Sequence, residues 1–227
     1  MRVHLCREIL FVLVASATPV LAQNSPIGFE GIVDSTIVTN QYAGATFVNA
    51  IILTAGITLN EFEFPPHAGS NVASDNGGPT TISFASPLRS FGGYFTYGVP
   101  LSIQALGSSN SVIASTSSAY SNNEALSGVS GSHPNELLQV GSATGIHSIV
   151  ITGRAQGASF TMDDVTLITR CDINQDGLTN VIDAQAMVNE ALGKTQTADD
   201  QNLDGVVNVV DVQIVIDAAL SLGCAAK

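Results

Sequence analysis

Gly93-Tyr94-Phe95-Thr96-Tyr97 is a short aromatic and β-branched run, and Leu101-Ser102-Ile103-Gln104-Ala105 after it alternates apolar with polar residues. A period of two sends successive side chains to opposite faces of a strand. The same pattern extends outward from about Ile27 to Ile168, through Ala45-Thr46-Phe47-Val48, Thr81-Ile82-Ser83-Phe84, Ile146-His147-Ser148-Ile149-Val150-Ile151 and Ser159-Phe160-Thr161-Met162. Turn clusters such as Asp75-Asn76-Gly77-Gly78-Pro79 and Ser108-Ser109-Asn110 lie between the runs. Many short strands without helical stretches predict a mostly β protein, an antiparallel β-sandwich over residues 23–169. A parallel α/β architecture is excluded for this half, because no crossover helix fits between the runs.

After Arg170 the pattern changes to Asp/Asn-rich loops followed by apolar residues at helical spacing. Val181, Ala184, Val188 and Leu192 form one stripe, and Val209, Val212, Ile216 and Leu220 a second, each predicting a short amphipathic helix. This second domain, residues 170–227, contains a duplication. Asp172-Ile-Asn174-Gln-Asp176-Gly177-Leu178-Thr-Asn180-Val-Ile-Asp183 matches Asp200-Gln-Asn202-Leu-Asp204-Gly205-Val206-Val-Asn208-Val-Val-Asp211 at every polar position. Oxygen ligands at positions 1, 3, 5, 9 and 12, with Gly at 6 for the turn, suit Ca²⁺, a hard cation that takes six to eight oxygens. Asp172, Asn174, Asp176 and Asp183 are expected to donate side-chain oxygens, Leu178 its carbonyl, and Asn180 a contact through water. Asp200, Asn202, Asp204, Asp211, Val206 and Asn208 repeat those roles. A merely solvated acidic face would leave three carboxylates per loop repelling one another with no cation between them.

The N-terminus has the pattern of a secretory signal peptide over residues 1–22: basic Arg2 and Arg7, the apolar run Ile9 to Ala15, and small residues ending at Ala22. The expected destination is extracellular or the cell surface. No later segment reaches the length of a membrane span. Removing residues 1–22 leaves Cys171 and Cys224, an even pair that in an exported protein is most simply a disulfide, with two free thiols as the alternative.

The chain carries 19 Asp+Glu against 7 Lys+Arg, a net charge of −12 with only 11% charged residues. So few clustered cations argue against nucleic acid and anionic membrane surfaces as partners. With no Trp and 6% aromatics, a large aromatic-lined sugar cleft is not expected. The acid excess has an address, because the two loops hold Asp at positions 1, 5 and 12 in both copies.

Residues 171–224 resemble a type I dockerin, a family with two calcium loops, each followed by a helix, with Asp at loop position 12 and no helix before the first loop. The resemblance implies two Ca²⁺ ions, a staple between Cys171 and Cys224 at the module's ends, and docking onto a cohesin module of an exported partner. In cellulosomal dockerins loop positions 10 and 11 are often a polar pair that selects the partner. Here they are Val181-Ile182 and Val209-Val210, apolar in both copies. If exposed, these two faces suit a protein partner; if buried, they are helix core.

Phe29-Glu30-Gly31 and Phe160-Thr161-Met162-Asp163-Asp164-Val165-Thr166-Leu167 resemble the first and last strands of carbohydrate-binding jelly rolls and galactose-binding-like domains. Gln41-Tyr42-Ala43-Gly44-Ala45-Thr46-Phe47 is similar to secreted bacterial sandwiches. The likeness implies a jelly-roll-like sandwich, polysaccharide as a ligand, and a structural calcium shared by Glu30 with Asp163 or Asp164. The alternative is plain acids at strand ends.

Catalytic candidates are sparse. Glu61 and Glu63 alternate in a possible strand, Leu59–Phe64, where two facing carboxyls would serve a glycosidase. The competing reading makes them the solvent face of a strand whose core face is Phe62 and Phe64. His67 and His133 sit beside prolines as turn residues, and His147 alternates in a strand. There is no Gly-x-Ser-x-Gly elbow. The leading expectation is a non-catalytic sandwich carried by a calcium-dependent docking domain. The alternatives are a polysaccharide hydrolase or lyase so carried, and a calcium-stabilised structural or adhesion protein without a cohesin partner.

Overall fold

The computed structural model describes residues 26–224, so the signal-peptide segment lies outside the described residues. The elements are β1 (Ile37–Val38), β2 (Ala45–Val48), β3 (Ala50–Thr54), β4 (Asn71–Asp75), β5 (Thr80–Tyr97), β6 (Ser102–Leu106), β7 (Val112–Ser117), β8 (Glu136–Thr152), β9 (Phe160–Thr169), α1 (Val181–Ala191) and α2 (Val209–Ala219). The pairings between these strands are antiparallel.

β5 and β8, at 18 and 17 residues, are far longer than an ordinary strand and run through two layers. The first part of β5 pairs β2 and, through Thr80–Ser83, the far end of β8 at Ser148–Ile151. Its second part pairs Glu136–Gly141 of β8 and all of β9. One layer thus reads β1-β3-β4-β9-β5-β8, and the other β2-β5-β8-β6-β7. Register shifts between Ser83 and Ser90 mark the corner. Pro87, which has no N–H to give a ladder, falls within that break, and Gly145 with φ 88° falls at the facing break in β8.

Between the layers lies one apolar core. Phe47, Ile82, Ile103 and Ile149 share it with Ile52, Ala73, Phe95 and Met162, and Phe29 packs edge-on against Phe47 within it. Burying each large side chain here contributes roughly 1.5–3 kcal/mol. This arrangement is the β-sandwich that the alternating runs predict.

Two local expectations are corrected. Residues 60–64 are not a strand: Glu63 and Phe64 both donate their N–H to the Asn60 carbonyl, closing a turn. Phe62 is accordingly 78% exposed instead of core-facing. In the helices, the apolar stripes are buried in part. Val212 is buried and Ala184 and Val188 pack against the small core, while Val181, Leu192, Val209 and Leu220 are exposed. Asp183 and Asp211 also turn inward to serve the loops, and the buried face takes in Met187, Ile214 and Val215, which lie outside the stripes.

Cys171 and Cys224 form a disulfide between the ends of this small unit, beside Met187 and Val215. The unit rests on the corner of the sandwich. Cys224 N–H donates to Ser86 Oγ at 3.4 Å, and Arg89 pairs with Asp199.

Candidate functional site

The two acidic loops share one hydrogen-bond skeleton. In the first, Asp172 accepts the N–H of Asp176 at 3.1 Å and of Gly177 at 2.8 Å, Asn174 accepts that of Asp176 at 3.1 Å, and Asp176 accepts that of Leu178 at 2.8 Å. In the second, Asp200 accepts from Asp204 at 3.3 Å and Gly205 at 2.7 Å, Asn202 from Asp204 at 3.0 Å, and Asp204 from Val206 at 2.9 Å. Asp183 Oδ1 reaches back to the N–H groups of Ile173 and Asn174, and Asp211 Oδ1 to those of Gln201 and Asn202. These bonds curl the side chains of positions 1, 3, 5 and 12 toward the loop's own backbone. Gly177 and Gly205 have φ of 88° and 90°, a conformation that a side chain would strain.

Oxygen-only donors and three acids per loop fit a hard divalent cation in chemistry and charge. Burial raises the Asp172 carboxyl above its usual range, and the Asp183 and Asp176 charges push the same way, the repulsion a cation would relieve. The carboxylates nevertheless do not form an assembled coordination sphere. Among the described residues no three acidic, His or Cys groups converge closely enough to hold a metal. Asn174 Nδ2 donates to Asp176 Oδ2 at 2.9 Å, and Asn202 Nδ2 to Asp204 Oδ2 at 2.9 Å, so amide donors face the position-5 carboxylates. Asn208 also turns its amide onto the Val206 carbonyl at 3.2 Å.

Positions 10 and 11 are exposed in both copies, so these residues are not helix core. Val181 and Val209 are each 76% exposed, and Ile182 and Val210 are exposed beside them. They stand at the first turns of α1 and α2, where Asn180 and Asn208 are the helix caps.

Glu30 and Asp163 meet across one segment of chain. Glu30 Oε1 accepts the N–H of Ser70 at 2.7 Å and of Asn71 at 2.8 Å, while Asp163 Oδ2 accepts those of His67 at 2.9 Å and Ala68 at 3.0 Å. Burial pushes the Asp163 carboxyl up to about 6 against these bonds. Among the described residues the Tyr42 hydroxyl is buried without a partner; burial, then the Glu30 and Asp163 charges, push it up to about 12. Asp164 turns to His67, at 2.6 Å from Nδ1, and the His67 ring stacks on Tyr94. Glu30 and Asp163 thus share the segment 67–71, and Asp164 binds its side chain.

Glu61 and Glu63 are half-buried on the turn, with Glu63 accepting from Asn60 Nδ2 at 2.8 Å. His133 lies in a loop against the Pro134 carbonyl, and His147 is half-buried in β8. Sequence reasoning missed the contacts between the two units. Arg170 donates to the carbonyls of Asp200 at 2.6 Å and Gln201 at 3.2 Å, and Gln201 Nε2 donates back to the Arg170 carbonyl at 3.2 Å. The pairing of Arg89 with Asp199 spans 110 residues, and no local periodicity signals it.

No family model and no curated protein matches the chain. Solved structures similar to it include the K2 cleaved adhesin domain of Lys-gingipain, at 13% identity over 62% of this chain and 96% of that one, TM-score 0.41. A family 11 carbohydrate-binding module of Clostridium thermocellum cellulase Lic26A-Cel5E is 10% identical over 63% and 91%, TM-score 0.31. TmCBM61 in complex with β-1,4-galactotriose is 11% identical over 55% and 88%, TM-score 0.32. None of the three reaches a TM-score of 0.5. Among the described residues no helix is long and apolar enough to cross a membrane.

Proposed function

We propose that this chain is an exported docking protein whose C-terminal unit resembles a dockerin. That unit binds two Ca²⁺ ions and carries the β-sandwich to a cohesin-like module of an extracellular partner. The observation that carries this reading is duplication in three dimensions. Two loops with the same hydrogen-bond skeleton each end in an Asn-capped helix whose first two residues are apolar and exposed. Calcium in each loop would be held by side-chain oxygens at positions 1, 3, 5 and 12 and by the carbonyl of Leu178 or Val206. It would supply the charge that three acids lack. Asn180 and Asn208 would act through water. The exposed valines and isoleucine then form the docking face.

For the sandwich we propose polysaccharide as ligand class. Support comes from the resemblance of the strands around Glu30 and Asp163 to carbohydrate-binding jelly rolls, with a structural calcium shared by those two acids as part of the same reading. Calorimetric titration of the full chain with calcium, and capture from the native secretome with and without chelator, test the docking function. Two calcium sites and a calcium-dependent partner are expected; no calcium uptake would sink it. Binding without product release on a glycan panel tests the sandwich.

A further inference from the structure

We infer that Arg170, with Arg89 behind it, is a positioning residue for the second acidic loop, so that the sandwich sets the calcium affinity of that loop and not of the first. The inference rests on the calcium reading above. Loop 2 begins at Asp200, and its first two peptide carbonyls, those of Asp200 and Gln201, are the acceptors of the Arg170 guanidinium. Arg170 is buried, immediately follows the last sandwich strand, and receives Gln201 Nε2 on its own carbonyl, so the grip is mutual. One residue before the loop, Asp199 is buried and paired with Arg89 of β5. The N–H groups of Ala198 and Asp199 are held by Glu190 of α1 at 2.9 and 3.1 Å.

Loop 1 has no equivalent. Among the described residues no side chain donates to the carbonyls of Asp172 or Ile173; the Asp172 N–H donates to the Thr169 carbonyl at 3.3 Å, and a Thr169–Thr179 hydroxyl contact at 3.0 Å is the other tie to the strand. Two loops alike in sequence therefore differ in what fixes their entry.

Two effects oppose each other. The guanidinium charge repels a nearby cation, while fixing the first peptides removes ordering that binding must otherwise supply. Burial and the like charge of Arg89 weigh against the Arg170 guanidinium, while the charges of Asp200, Asp199 and Asp211 attract it and offset its own in part. Its donors address backbone carbonyls, leaving the Asp200 carboxylate to the loop interior. Preorganisation therefore dominates, and losing it weakens binding.

The test is calorimetric calcium titration of the full chain with one loop disabled at a time. Asp176→Ala leaves loop 2, and Asp204→Ala leaves loop 1. Adding Arg170→Gln is expected to weaken the remaining site about tenfold in the first background, the scale of one charge-assisted hydrogen bond, and less than about twofold in the second. Arg89→Gln, which leaves Arg170 and its neighbour Cys171 intact, is expected to shift the same way by about threefold, and decides the question if Arg170→Gln fails to fold. Equal effects on both loops, or none on loop 2, would overturn the positioning role alone. Absence of calcium binding by the unaltered chain would overturn the calcium reading and this inference with it.

Discussion

Asn180 and Asp183 cap each other. The Asp183 carboxylate accepts the Asn180 backbone N–H at 2.8 Å, while the Asn180 side-chain oxygen accepts the Ile182 N–H at 2.8 Å. Asn208 and Asp211 repeat the pair. Loop positions 9 and 12 are therefore also the helix cap and its third residue, and loop and helix form as one unit. Asp183 holds three N–H groups in all and is fully buried. We expect Asp183→Ala to destabilise the C-terminal unit by about 2–4 kcal/mol even in chelator, because N–H groups lose their acceptor in a buried place. Exposed Asp176→Ala should cost under about 1 kcal/mol in chelator and show its loss only with calcium present. Thermal unfolding of both variants, with and without calcium, measures the contrast; equal losses in chelator would show that Asp183 has no structural role beyond the metal.

The C-terminal unit has a small core, so its links to the rest of the chain matter. Cys171, Met187, Val212, Ile214, Val215 and Cys224 are its buried apolar residues. Cys171→Ser/Cys224→Ser is expected to cost about 2–4 kcal/mol, from the larger conformational freedom of the unlinked unfolded chain. Combined with chelator, it should abolish helical circular dichroism while leaving the β signal of the sandwich. Retention of the helical signal under both treatments would show that packing alone holds the helices.

Gly69, with φ 59°, sits where a Cβ would run into the Glu30 carboxylate. Gly69→Ala is therefore strained twice, by its backbone conformation and by displacing the acceptor of Ser70 and Asn71. A loss of about 2–4 kcal/mol in urea unfolding is expected, against under about 1 kcal/mol for Glu61→Ala at the half-buried turn. A neutral Gly69→Ala would mean that Glu30 does not pin the segment.

The strands and loops were legible because each rests on a short-range rule. Period-two alternation marked Ala45–Val48 at its bounds, and the spacing of Asp, Asn and Gly marked both loops. Leu59–Phe64 misled because alternation there arises on a turn closed by Asn60, a backbone bond that the pattern does not encode. The helical stripes held in their middle, at Ala184, Val188 and Val212, and failed at their ends. Each Asp at position 12 is polar yet points inward, so the buried face includes a residue that hydrophobicity alone leaves out, while Val181 and Val209 stand exposed at the helix starts. Clamps such as Arg170 on Asp200, or Glu30 and Asp163 on residues 67–71, join residues far apart in sequence and appear only once the sandwich is closed.

Asp163 gives the fold a pH dependence of definite sign. Its carboxyl is pushed up to about 6 by burial, which outweighs the N–H bonds from Ala68, Asp164 and His67. A carboxyl with a folded pKa above its unfolded value holds its proton more tightly when folded, so its ionisation opposes folding. The penalty is absent below about pH 4, grows through the window to about pH 6, and stays constant above it at about 3 kcal/mol. In calcium-free buffer, Asp163→Asn removes that slope. The stability of the native chain minus that of the variant is therefore expected to fall by about 3 kcal/mol between about pH 4 and pH 7, whatever the constant cost of the amide's poorer N–H contacts. Urea unfolding at intervals across that range measures the difference, and a flat difference would show that Asp163 ionises as an ordinary surface acid. Repeating the series with calcium tests the proposed shared ion. A cation held between Glu30 and Asp163 stabilises the ionised carboxylate and should reverse the slope, whereas an unchanged slope would leave the two acids as a clamp on residues 67–71 without a metal.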